Sequence, residues 1–150
     1  MKLPKKTHIV LVTGSVVFIV AVLLFLQLHT LESTSKDTVT LGKERLKLEV
    51  ADTDAERIQG LSERGGLAKD SAMLFVFPIA TQQCMWMKDM KFSLDMVWLD
   101  SSKKIVKIAQ DVTPETYPET FCADNTKYVL ELNSGVIKQN NLKIGQNLNF

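Results

Sequence analysis

The sequence predicts a mainly β domain with minor α, a small barrel-like or curled sheet with two short helices, preceded by one N-terminal transmembrane helix. Three observations carry this reading: one long apolar run without charge, several short stretches of alternating apolar and polar residues after it, and helix signals at only two places. A chain of 150 residues has room for one such domain and an appendage.

The appendage comes first. Lys2, Lys5 and Lys6 precede a stretch from Thr7 to Leu31 that holds no Lys, Arg, Asp or Glu. Its centre, Ile9 to Leu28, is about 20 residues long, the length of helix that crosses a bilayer core roughly 30 Å thick. Residues 1–8 are therefore expected as a basic cytoplasmic tail, 9–28 as an anchor in contact with membrane lipid, and the rest of the chain outside the cytoplasm. A cleavable signal peptide fits less well, because the exit LHTLESTSKD offers no small-x-small site. Residues 29–41, polar and rich in Ser and Thr, read as a linker.

The folded part is expected over 42–150. Leu46, Leu48 and Val50 alternate with Lys47, Glu49 and Ala51 as a first strand. Thr53 and Glu56 form a capping box that starts a short helix, and Gly60 ends it. Met73 to Phe77 is a continuous apolar run before Pro78, as in a strand covered on both faces. Ile105, Val106 and Ile108 continue the sheet, while Pro114 and Pro118 make the following segment a rim. Tyr128, Leu130 and Leu132 alternate with Val129 and Glu131 in another strand. Asn133 or Ser134 can cap a turn of helix through about Gln139, and Leu148 to Phe150 is expected as a last strand.

The unusual residues gather between Cys84 and Asp100, CMWMKDMKFSLDMVWLD. Two alternating arms joined through Lys91 to Ser93 suggest a hairpin, with Lys88, Asp89 and Asp95 set among methionines and two indoles. Charges in an apolar hairpin are tolerated if exposed or paired. Two explanations stand: an exposed ligand-binding rim of Trp86, Lys88, Asp89 and Asp95, joined by Arg64, or an ion pair that sets the register of the hairpin.

Composition excludes several chemistries. Beyond the first three lysines acidic residues outnumber basic ones by two, so no basic footprint for nucleic acid exists. The only histidines, His8 and His29, flank the apolar run, which rules out a Cys-His dyad or a Ser-His-Asp triad in the domain. No phosphate loop, dinucleotide fingerprint or metal motif is present, and no cofactor is expected. Met85, Met87, Met90 and Met96 suit irregular core gaps better than copper. Cys84 and Cys122 are an even pair that a compartment outside the cytoplasm would allow to form a disulfide. Asp89, Asp95 and Glu131 are the carboxylates a glycoside hydrolase would need.

The blocks EVADTDAERIQGLSER, MLFVF, MWMKDMKFSLDMVWLD, IVKIAQDVTPE and YVLELNSGVIKQNNLKIG, in that order, closely resemble the domain-of-unknown-function 192 family from Leu46 to Phe150. The central block of the family usually reads Phe-Trp-Met-Lys-Asn-Thr and then Pro-Leu-Asp. Trp86, Met87, Lys88, Leu94 and Asp95 match it, whereas Met85, Asp89, Met90 and Ser93 depart from it, as do Ser62 and Glu63 before the matching Arg64. The resemblance implies a compact, mostly β domain that is often exported or anchored, and no reaction.

The function expected is that of a membrane-anchored extracytoplasmic binding or accessory module of the cell envelope, whose partner is an envelope polysaccharide or a protein. The rival is a carboxylate-dependent hydrolase of envelope polysaccharide. Two free carboxylates facing one cleft would favour the hydrolase, and carboxylates paired to Lys or Arg would favour binding.

Overall fold

The computed structural model describes residues 38–150. The expected cytoplasmic tail, membrane anchor and most of the linker lie outside the described residues. Among the described residues no helix is long and apolar enough to cross a membrane.

Thr38–Leu41, placed by the sequence at the end of the linker, form strand β1. Val39 and Leu41 explain this, because their side chains are fully buried on one face while Thr38 and Thr40 point away. A turn at Gly42, held at φ 57°, leads into β2 (Glu44–Ala51), which pairs antiparallel with β1. The capping box then starts α1 (Asp54–Gln59): Thr53 accepts from the Glu56 amide and Glu56 accepts from the Thr53 amide. The Thr53 hydroxyl also donates to the Glu56 carboxylate at 2.8 Å, and this bond, with those from the Thr53 and Asp52 amides, holds the carboxyl below its usual range. α1 is the crossover that lets β3 (Ser71–Trp86) lie parallel to β2.

β3 runs straight through Pro78, where the sequence reading ended a strand. It survives because its pairing with β6 shifts register between Val76 and Gln83, so the proline sits in a bulge. The carbonyls on either side of the break accept from cations: Val76 O from Arg57 at 2.7 Å and Pro78 O from Lys127 at 2.7 Å.

The remaining strands are β4 (Leu94–Leu99), β5 (Ile105–Val112) and β6 (Thr120–Asn133), with a 3₁₀ turn at Pro114–Thr116 and the short helix α2 (Val136–Gln139). The spatial order is β1-β2-β3-β6-β4-β5. The hairpin expected between the arms at Cys84 and Asp100 does not exist, since β6 is inserted between β3 and β4 and pairs antiparallel with both. The Tyr128 to Glu131 part of β6 pairs with β3 and β4 at once, and the short connection from Met87 to Ser93 spans over it rather than turning back.

The sheet is not closed into a barrel. β1 and β5 remain edges, and the last residues approach both without a named strand: Asn149 bridges to Thr40, Asn147 bridges to Lys104, and backbone bonds join Gly145, Gln146 and Leu148 to Ile105 and Lys103. This tail alternates between two strands and so forms a ladder with neither, which is why Leu148 to Phe150 is not a strand. Leu148 is nevertheless buried, and Phe150 packs edge-on against Tyr128.

Both faces of the sheet are covered. One carries Leu41, Leu74, Val97, Leu130, Leu132 and Ile137. The other carries Met73, Phe75, Met96, Trp98 and Val129 beneath Leu61 and Leu67 of the loop after α1. Trp98 is fully buried, with its indole N–H donating to the Gln83 carbonyl at 3.2 Å.

Candidate functional site

Glu131 lies near the C-terminal end of β6, on the same face as Val129. Cross-strand register sets it between Met73 of β3 and Met96 of β4. It is 4% exposed, and no hydrogen bond or ion pair from a described residue reaches its carboxyl. Burial without a partner disfavours the charged form, and the Glu131 carboxyl is pushed up from 4.5 to about 8. At neutral pH this side chain is a neutral acid.

Above Glu131 opens a cleft of about 390 Å³. One wall is β3, through Phe75, Phe77, Met85 and Trp86, and the other is α1 with Gly60 and Leu61. Gly60 closes α1 at φ 47°, and a Cβ there would stand 3.1 Å from the Phe75 ring, so the close approach of helix end to wall needs a glycine. Arg57 also lines the cleft, but its guanidinium is occupied. It binds Asp54 and the carbonyls of Asp52 and Val76, and lies over the Phe77 ring 5.7 Å from its centre.

The outer end of this wall is held by a disulfide. Cys84 and Cys122 face each other across β3 and β6 with Cα atoms 4.0 Å apart and are bonded. The bond lies next to Met85 and Trp86, and Lys107 supports it from β5 by donating to the Cys122 carbonyl at 2.8 Å while lying over the Trp98 ring.

Of the five residues expected at a ligand-binding rim, the structure brings three together. Trp86, Lys88 and Asp89 border a recess of about 210 Å³ that adjoins the cleft through Ile58, Gln59, Ser62 and Trp86. Lys88 and Asp89 form the exposed turn between β3 and β4. It is clipped to the α1 loop by Ser62 Oγ donating to Lys88 O at 3.1 Å and Glu63 N donating to Asp89 O at 2.8 Å. Their side chains form no ion pair with each other or with Asp95, so the register-setting pair is absent among the described residues.

Arg64 and Asp95 lie elsewhere. Arg64 pairs with Glu49 at 2.6 Å. Asp95 is fully buried on the opposite face of the sheet. It accepts from the Asp111 amide at 2.9 Å, across a bulge in β5, and from the Ile137 amide at 2.8 Å at the start of α2. It thus caps α2 from a distance, which neither Asn133 nor Ser134 does. Those side chains bind Ala68 O and Asp111 instead.

Glu131, Phe75, Phe77 and Met90 are site residues that the sequence reading did not single out together. The signal was faint: an acid in the same alternating set as Val129, on a strand with no wet face. Among the described residues no cluster of His, Cys, Asp and Glu converges as a metal site.

The DUF192 family, described as Uncharacterized ACR, matches residues 37–150. Two crystal structures are similar. A protein of unknown function from Novosphingobium aromaticivorans DSM 12444 shares 26% identity at a TM-score of 0.69, over 75% of this chain and 82% of that one. A chain from Sinorhizobium meliloti 1021, provisionally titled a transcription regulator, shares 30% identity at a TM-score of 0.68, over 74% of this chain and 88% of that one. No curated protein matches. With its five sequence blocks, its open β sheet and a family match over the whole described region, this chain belongs to the DUF192 family.

Proposed function

We propose that the protein is a membrane-anchored extracytoplasmic binding module of the cell envelope, and that its cleft over Glu131 holds a small ligand, free or carried on an envelope polymer or protein. The observation that carries this is the Glu131 carboxyl itself, 4% exposed at the floor of an apolar cleft and without a partner. The carboxyl is largely drawn out of water yet not sealed from the cleft, so a bound ligand can supply the partner that the protein does not. The volume of about 390 Å³ suits a compact organic group, with apolar walls for its body and one polar point for its orientation. The Cys84–Cys122 bond supports an oxidising compartment, and the basic residues before the apolar run support the orientation.

A thermal-shift and NMR screen of small polar-headed aromatic and aliphatic compounds against the full chain tests this reading. Binders should move resonances of Trp86, Met85 and Met90 and lose their effect in Glu131→Gln. Binders that leave those resonances still, or that bind Glu131→Gln equally well, would sink it.

One observation favours the hydrolase as a second reading. A carboxyl raised to about 8 has the proton a general acid must give at neutral pH. Its required partner is a second, ionised carboxylate across the substrate. Asp54 is the other carboxylate at this cleft, and it sits on the rim bound to Arg57. Binding therefore leads, and release of sugar from envelope polysaccharide that is lost in both Glu131→Gln and Asp54→Asn would reverse the order.

A further inference from the structure

We infer that the cleft selects an organic ammonium cation on an apolar body, an aryl- or alkylammonium ion whose charge docks against the Glu131 carboxyl. The inference rests on the binding reading above and names its ligand class.

The charges around Glu131 point to this. β3 and β4 present only Met73 and Met96 beside it. On β2, Glu49 occupies the same cross-strand row and is held by Arg64. Lys127 of β6 donates to Pro78 O, and Lys107 of β5 donates to Cys122 O. On α1, Arg57 is engaged by Asp54 and two backbone carbonyls. Among the described residues that line the cleft itself, the one cation, Arg57, and the acid Asp54 are paired to each other, and the Glu131 carboxyl is left over, while Lys88 and Asp89 stand outside it at the adjoining recess. The positive charge that would complete it is missing from this set of residues.

The walls favour the same occupant. Aromatic faces attract cations, most strongly where water is excluded, and Phe75, Phe77 and Trp86 line one side of the cleft. Arg57 already lies on Phe77 in this way. Methionines adapt their shape to an irregular apolar body, and Met85 and Met90 complete the lining. An anionic ligand would meet an acid at the floor and an arginine whose charge is already paired with Asp54. A neutral donor would gain a hydrogen bond but no charge pairing.

Docking a cation on Glu131 ionises it, and the proton leaves to solvent. Capture is therefore linked to pH: with the free carboxyl at about 8, the apparent affinity rises nearly tenfold per pH unit below that value and levels off above it.

The test uses the full chain and two probes, 2-phenylethylamine, which stays protonated from pH 6 to 8.5, and its neutral analogue 2-phenylethanol, both followed by calorimetry. The expected result is amine binding that strengthens nearly tenfold from pH 6 to 7 and flattens above pH 8. Buffers of different ionisation enthalpy should show close to one proton released per amine bound at pH 6. At pH 8.5 Glu131→Gln should weaken the amine tenfold or more and the alcohol, which loses a hydrogen bond but no charge pair, by only a few-fold. Alcohol binding as tight as amine binding, without pH dependence, would overturn the cation preference and leave the cleft as a binding site. Amine binding that Glu131→Gln does not weaken would also overturn it. Failure of both probes at every pH would count against the ammonium inference and the binding reading together.

Discussion

Glu131 makes a prediction about stability that needs no ligand. Its carboxyl titrates at 4.5 in an exposed setting and at about 8 in the fold, so between those values the native state holds a proton that the unfolded chain has lost. Under that condition stability falls as pH rises. The slope is about 1.4 kcal/mol per pH unit, and the whole interval amounts to about 5 kcal/mol, a large part of the 5–15 kcal/mol typical of a domain. Below pH 4.5 both states are protonated and above about 8 both are ionised, so the Glu131 contribution is flat at either end. Glu131→Gln keeps the size of the side chain and removes the titration. The amide is itself unpaired in the cleft, so the variant carries a fixed cost of about 1–3 kcal/mol that does not change with pH. The assay is urea unfolding of the oxidised full chain from pH 4 to 9, with Trp98 fluorescence and circular dichroism as probes. The difference between wild type and variant should run against the variant at pH 4, shrink above pH 4.5, reverse at about pH 5–7, where the loss of about 1.4 kcal/mol per unit equals that cost, and level off in the variant's favour above about pH 8. Parallel profiles across the range would refute the argument, because they would mean that the carboxyl is solvated or partnered after all.

Two further outcomes follow from the surroundings of the site. Asp95→Ala should destabilise the domain by about 2–4 kcal/mol, because it strips one buried and one part-buried amide of their acceptor, and hydrogen exchange should quicken at Asp111 and Ile137 before it does at Glu131. A variant that unfolds at the wild-type urea concentration would remove Asp95 from the frame of the fold. Reducing the Cys84–Cys122 bond opens a loop with a sequence separation of 38 and should cost about 4 kcal/mol in the chain-entropy account. That loss should appear as a lower melting temperature on adding reductant, while a Cys84→Ser, Cys122→Ser double variant should melt at the same temperature with or without it.

Local patterns in the sequence were enough for the elements whose causes are local. The capping box at Thr53 and Glu56, the stop at Gly60, and the alternation of Leu46 and Leu48 or of Leu130 and Leu132 each follow from residues a few positions apart. The cysteine count and the five sequence blocks likewise pointed to the pairing and to the family. Misreadings arose where a partner is distant. Thr38–Leu41 look like linker because their burial depends on β2 and on the tail at Asn149. The arms around Lys91 look like a hairpin because nothing local announces that β6 will enter between them.

The same insertion decided the site. Alternation alone puts Asp95 and Glu131 on equal terms, two acids on apolar strands. Strand order buries Asp95 against the amides of Asp111 and Ile137, where it becomes a structural cap, and places Glu131 between Met73 and Met96 with nothing to bind it. By itself, then, the sequence determined a mainly β domain of known family with acids among its core strands. Which acid is satisfied and which is left open to a cleft was decided by the tertiary structure, because hydrogen-bond partners and desolvation come from neighbours far along the chain.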